Sequence, residues 1–301
     1  MRPVLAIALF VSTWSTGAPA QSPQFVSKAA ELVVLPVVVT DRHDHFVAGL
    51  PKNRFAIFDN SRPQDVSLFT AEDTPVTIGI VIDDSGSMAP KMRDVVSAAL
   101  AFARSSNPED ELFAVAFNDT VQDNVGGATL AASDLTGLER ALASLKPIGK
   151  TALYDGMITA LDRLDRAVRP RRVLVLLSDG GDNASDAKLN EVLARARTSN
   201  AMIYTVGLFD QDDRDQNPGV LKSLAQTTGG KRYLPGSAQQ LTEAYTQIAR
   251  EIRSGYTIGY VPPDRDGAYH RVRVDVIGPD GRALTVRTRP GYYAAPPVTR
   301  P

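Results

Sequence analysis

"VTIGIVIDDSGSM", residues 76–88, is the stretch that decides how this chain is read. Val76, Ile78, Ile80, Val81 and Ile82 form an apolar run that stops abruptly, and Asp83, Asp84, Ser85, Gly86 and Ser87 follow at once. A short run that is apolar at nearly every position predicts a strand buried on both faces, as in a parallel sheet covered by helices. The oxygen-bearing residues then stand at the carboxyl end of that strand, where open α/β sheets bind their ligands.

The same pattern recurs downstream. "ELFAVAF", "RVLVLLSD" and "AMIYTVGLF" are further apolar runs, and segments of helical period lie between them. Met92, Val95, Val96, Ala99, Leu100 and Ala103 make one such face. Residues 76–253 therefore read as a doubly wound, mostly parallel α/β sheet. On either side the period changes to that of strands. "ELVVLPVVVTD", "RFAIFD" and "QDVSLFTA" precede it; "YTIGYVPP", "YHRVRVDVIG" and "ALTVRTRPGYY" follow it. "PDG" at 279–281 is a hairpin signal. Segments 29–75 and 254–294 are each too small to bury a core alone. The expected fold class is α/β, with the Rossmann-like domain inserted in or flanked by a smaller antiparallel β-sandwich made of both segments.

Asp83, Ser85 and Ser87 alternate, so their side chains can point the same way on a loop leaving the strand. "GKTALYDG" adds Thr151 before a helix, and "LLSDG" ends another buried strand with Asp179. Carboxylates and hydroxyls without sulfur or imidazole suit a hard cation, Mg2+ or else Mn2+ or Ca2+. Each residue also has a plainer reading, because Asp and Ser after a strand commonly cap the next helix. A cap needs one oxygen, whereas four of these five residues must be explained beyond it. Asp84 is expected to be solvated, Asp155 to brace the Thr151 loop, and Asp182 and Asn183 to be turn residues.

"DDSGSM", Thr151 in "GKTALYD" and Asp179 in "LLSDG" occur in the order and at the spacing of a metal-ion-dependent adhesion site. On these motifs, residues 76–253 resemble a von Willebrand factor type A domain. The resemblance implies that Ser85, Ser87 and Thr151 contact a divalent metal, with Asp83 and Asp179 binding directly or through water. It also implies a protein partner whose exposed Asp or Glu completes the coordination. The wider chain, with "VTD", "GLPKNRFAIFDN" and the closing "RTRPGYY", resembles exported bacterial proteins of this family, notably acidobacterial ones. In related adhesion domains the last helix shifts along the sheet when ligand binds. Here that helix is "SAQQLTEAYTQIAREIRSGY", with Leu241, Ala244, Tyr245, Ile248, Ala249 and Ile252 on its apolar face. A switching helix and a fixed one both remain open.

Composition removes other classes. With 33 Lys and Arg against 34 Asp and Glu, no basic footprint for nucleic acid exists. There is no cysteine, hence no disulfide, thiolate nucleophile or sulfur-ligated metal. Arg2, the run "VLAIALFV" and "APA" at 18–20 read as a secretory signal peptide over residues 1–20, so the chain is expected to be exported, periplasmic or extracellular, without a stable membrane anchor after cleavage. Residues 21–28 and 295–301 read as loose termini. "GKT" at 149–151 is not a phosphate loop, since Ser144 stands where that motif requires Gly. "DQDDRDQN" at 210–217 lacks EF-hand spacing and reads as a solvated loop. His43, His45 and His270 lie outside the α/β region, which leaves a Ser-His-Asp site there unsupported. The leading function is a non-enzymatic, metal-dependent adhesion or scaffold module. A metal-assisted hydrolase is the alternative, but Asp84, Asp155 and Asp182 have no evident partner to tune them as bases. A scaffold without metal is the third.

Overall fold

Element boundaries follow the punctuation of the sequence. In a computed structural model that describes residues 32–71, 73–209 and 215–296, the chain opens with β1 (Val33–Thr40), β2 (Phe55–Asp59), β3 (Arg62–Gln64) and β4 (Leu68–Thr70). It continues with β5 (Thr77–Asp83), α1 (Met92–Ser105), β6 (Glu111–Phe117), β7 (Val121–Ala131), α2 (Leu135–Ala143), α3 (Leu153–Asp165) and β8 (Arg172–Ser178). Then come α4 (Leu189–Thr198), β9 (Ala201–Gly207), α5 (Pro218–Thr228), β10 (Arg232–Tyr233) and α6 (Ala238–Ser254). The last strands are β11 (Tyr256–Tyr260), β12 (Tyr269–Val276), β13 (Thr285–Arg287) and β14 (Gly291–Tyr293). The signal-peptide reading, residues 21–28, most of the 210–217 loop and the final residues fall outside the described residues.

The central sheet has the order β10-β9-β8-β5-β6-β7. All its pairings are parallel except β6 with β7. β5 sits between β6 and β8 and is buried at every residue. Ile78, Ile80 and Ile82 point into the core shared with α1, α2 and α6, while Val81 points into the core shared with α3, α4 and α5. Gly79 lies between them for a steric reason. A Cβ there would stand 2.5 Å from Leu174 Cδ2 and 2.5 Å from the Phe113 ring, which meet across the strand. The doubly wound sheet is therefore as the sequence predicts. β7 is not: its polar "VQDNVGGATLA" carries no continuous apolar run. It is an antiparallel edge strand, where one wet side permits polar residues, and its register shifts near Gly126 and Gly127, both at positive φ.

The flanking segments form two antiparallel sheets, β13-β1-β11-β4 and β14-β12-β2-β3, around a third core that includes Leu35, Val37, Ile57, Ile258 and Val274. Each sheet draws strands from both ends of the chain, so the α/β part stands between β4 and β11 in sequence. Asn60 and Ser61, with φ of 44° and 69°, make the tight turn from β2 to β3. Gly281 at φ 79° turns the chain between β12 and β13.

α6 enters the core with Leu241, Ala244, Tyr245, Ile248, Ala249 and Ile252, the face its periodicity predicts. That face meets α1 more than it meets the strands. Glu251 adds what periodicity does not show. It is buried, pairs with Arg287 of β13 and accepts a hydrogen bond from Tyr233 Oη at 2.7 Å. The last helix is thus tied to a strand of the flanking sheets.

Candidate metal centre

β5 and β8 are parallel neighbours in register up to Ile82 and Leu177, which brings their acidic tips side by side. Ser178 Oγ donates to Asp83 Oδ2 at 2.6 Å. Asp83 Oδ1 accepts from Ser85 N at 3.0 Å, and this bends the chain into a 3-10 turn over Gly86–Met88. The turn sets Ser85 Oγ 3.2 Å from Ser87 Oγ, and Ser87 Oγ donates to Asp179 Oδ2 at 3.0 Å. Gly181 N donates to the other Asp179 oxygen at 2.9 Å. Ser85, Ser87 and Asp179 thus form one linked chain of oxygens, with Asp83 joined to it through Ser85 N.

Thr151 arrives on a third loop. Gly86 N donates to Gly149 O at 3.1 Å, stitching that loop to the serine turn. Gly149 is required there: its φ is 82°, and a Cβ would stand 1.8 Å from Asp119 Oδ2. Thr151 N donates to Asn183 Oδ1 at 2.9 Å, and Thr151 O accepts from Asn183 N and Ala184 N. Thr151 is buried, but its hydroxyl forms no hydrogen bond to Ser87 or Asp179 among the described residues.

Electrostatics single out Asp83. Burial pushes its carboxyl up to about 6. Hydrogen bonds from Ser178 and Ser85 act against that rise, and the charge of Asp179 adds to it. The donor set is two carboxylates and three hydroxyls without sulfur or nitrogen. That chemistry fits a hard divalent cation, so the residues present suit the metal that the motif implies.

Several neighbouring readings need correction. Asp84 is not solvated but fully buried, because alternation along the strand turns it under the loop that leads to Thr151. Its Oδ2 accepts from Lys146 N at 3.1 Å, its Oδ1 has no hydrogen-bond partner among the described residues, and burial raises its pKa. Asp155 does not brace the Thr151 loop; it accepts from Asp186 N and Ala187 N and fixes the loop after β8. The fastener of Thr151 is Asn183, while Asp182 accepts from Tyr154 N in the first turn of α3. Ser178, the hydroxyl closest to Asp83, is missing from the expected set. Its position just before Asp179 in "LLSDG" is the signal that could have found it. His43 and His45 have ring centroids 6.0 Å apart, and no group of three or more His, Cys, Asp or Glu placed to hold a metal occurs among the described residues.

A doubly wound sheet with these three loops at its carboxyl edge defines an open-sheet α/β domain. The family profile of the von Willebrand factor type A domain matches residues 77–247, more than half of the chain, and the chain belongs to that family. Among solved structures it is similar to a von Willebrand factor type A protein from Catenulispora acidiphila, at 16% identity and a TM-score of 0.52, over 82% of this chain and 76% of that one. It is also similar to the von Willebrand factor domain of a type V pili tip protein from Porphyromonas gingivalis, at 15% identity and a TM-score of 0.51, over 60% of this chain and 96% of that domain. At such identities the likeness concerns the fold. No curated protein sequence matches the chain.

Proposed function

We propose that this protein is an exported, metal-dependent protein-binding module that serves adhesion or scaffolding. Ser85, Ser87 and Thr151 would hold one divalent cation, Mg2+ or else Mn2+ or Ca2+, with Asp83 and Asp179 beside it. The cation would supply an open coordination position for an exposed Asp or Glu of a protein partner. The observation that carries this reading is the oxygen chain Ser85–Ser87–Asp179 beside the deeply buried Asp83. Membership of the family supports it, as does the fold shared with a pili tip domain.

Residues 76–253 would be the binding domain, and the strands of 29–75 and 254–294 its platform. Residues 1–20 would direct export to the periplasm or beyond. Among the described residues no helix is long and apolar enough to cross a membrane. No reaction is assigned to the site. Asp155 and Asp182 already accept backbone N–H groups, and Asp84 is sealed from solvent, so none stands ready as a general base.

Isothermal titration with MgCl2 should show one site, which Ser85→Ala weakens at least tenfold. Proteins captured from the exported fraction should be released by EDTA. Titration without heat, together with a captured set indifferent to EDTA, would leave a scaffold that needs no metal.

A further inference from the structure

Ser85 and Ser87 are tied into the oxygen chain by their own hydroxyls, whereas the Thr151 hydroxyl has no hydrogen bond to that chain among the described residues. Its place must therefore come from the backbone that carries it. The main chain is pinned on either side, with Ile148 N donating to Asp84 O at 3.0 Å and Ala152 N to Asn118 O at 2.8 Å. At Thr151 itself the main partner is Asn183. Thr151 N donates to Asn183 Oδ1 at 2.9 Å, and Asn183 N donates to Thr151 O at 3.0 Å. Both peptide groups of Thr151 are thereby held. The hydroxyl keeps only its side-chain torsion, and a β-branched side chain has few rotamers.

Asn183 is itself held. Asp182 accepts from Tyr154 N at 3.1 Å, and Ser185 Oγ accepts from the same N–H at 3.0 Å. Asp155 accepts from Asp186 N at 2.9 Å and from Ala187 N at 3.0 Å. These bonds fasten the loop after β8 to the first turn of α3. Asn183 is exposed, so core packing does not explain its contact with Thr151. The loop that ends β8 with Asp179 thus also fixes Thr151.

We infer that Asn183 is a positioning residue of the metal centre: it sets where the Thr151 hydroxyl stands and so how tightly the centre takes a divalent cation. The inference rests on the metal-dependent reading of the site. Mg2+ demands near-ideal geometry, and groups that orient a metal ligand typically change affinity about 10–100-fold. The effect acts through Thr151, so it must vanish once that hydroxyl is gone. A plain loop fastener would alter stability and leave affinity alone.

Isothermal titration with MgCl2 on the native protein, Asn183→Ala, Thr151→Val and the double variant tests this, with urea midpoints in EDTA reading the fold separately. Asn183→Ala should weaken Mg2+ about tenfold or more. In the Thr151→Val background the same change should add less than about twofold. Asn183→Asp keeps the acceptor and should bind at least as tightly as the native protein. Native affinity in Asn183→Ala, whatever its urea midpoint, overturns the inference and leaves the metal reading standing. A full further loss in the Thr151→Val background does the same, as does weak binding by Asn183→Asp. No Mg2+ binding by the native protein overturns both.

Discussion

Asp59 of the flanking sheets and Asp83 of the central sheet are both almost wholly removed from solvent, and the protein treats them in opposite ways. Asp59 Oδ1 faces His270 Nδ1 at 2.7 Å, and its Oδ2 accepts from Tyr260 and Tyr292 hydroxyls at 2.8 Å each. The other ring nitrogen of His270 faces Asp266 Oδ1 at 3.2 Å. A carboxylate facing each nitrogen favours the doubly protonated, cationic ring, and the two carboxylates raise the pKa of His270 against the effect of burial. Tyr260 belongs to one flanking sheet and the remaining groups to the other or its loop, so this cluster staples the two. Among the described residues Asp83 meets only the hydroxyls of Ser178 and Ser85 and the Ser85 backbone N–H, and no Lys, Arg or His bonds to it. One buried carboxylate is neutralised by the chain itself. The other has no such partner among the described residues, and the two environments are opposite although both carboxylates are buried.

The largest effect should come from removing the compensated charge. Asp59→Asn replaces one of the two acceptor oxygens with a donor amide, so either the two tyrosines or His270 lose their acceptor, and it removes the negative charge beside His270. It should cost about 3–5 kcal/mol of unfolding free energy, measured by urea denaturation. A loss below about 1 kcal/mol would break the comparison.

Asp83→Asn should do the reverse in metal-free protein. At neutral pH a carboxyl raised from 3.8 to about 6 implies a cost near 3 kcal/mol for holding the charge. Part of that returns as weakened hydrogen bonds, so a gain of about 1–2 kcal/mol is expected. The same variant should lose the stabilisation that Mg2+ gives the native protein, about 2.7 kcal/mol at 100 times its dissociation constant. Thermal melts in EDTA and in MgCl2 read both effects.

His270 gives a pH test. Burial lowers its pKa, but hydrogen bonding and charge from Asp59, then Asp266, outweigh this and raise it above 6.5. A raised cationic pKa means the folded state holds the proton more tightly. Its stabilisation is therefore full below pH 6.5 and is lost as pH rises through the folded-state value. Urea midpoints should fall over that window, and His270→Gln should flatten the decline.

The smallest effect is expected at Ser178→Ala. Loss of the 2.6 Å hydrogen bond to Asp83 should cost about 1 kcal/mol in metal-free protein. A much larger cost would mean that Asp83 is held structurally after all, like Asp59.

The central sheet was legible because strands buried on both faces must be continuously apolar, as β5, β6, β8 and β9 are. β7 was not, since an edge strand carries little of that constraint. At the site, Asp83, Ser85, Ser87, Thr151 and Asp179 stand in short motifs visible in the sequence, and the structure links Ser85, Ser87 and Asp179 by hydrogen bonds. The errors fell on polar side chains whose environment lies far away in sequence. Asp84 looked solvated because nothing adjacent shows the loop that folds over it. Asn183 looked like a turn residue because its partner, Thr151, is 32 positions earlier.

Sequence by itself determined the periodicities, the absence of cysteine, the oxygen-only motif set and the division into strand-rich ends and an α/β centre. These are local properties, written in the residue types that each element needs. Only the tertiary structure decided which buried charges are compensated. It joined Glu251 of the last helix to Arg287, gathered Asp59, Tyr260, His270 and Tyr292 from four strands, and gave Asp83 hydroxyl and N–H partners but no Lys, Arg or His among the described residues. Coulombic and hydrogen-bond partners act through space over a few ångströms, and folding brings together groups as far apart in the chain as Thr288 and Pro36, 252 residues.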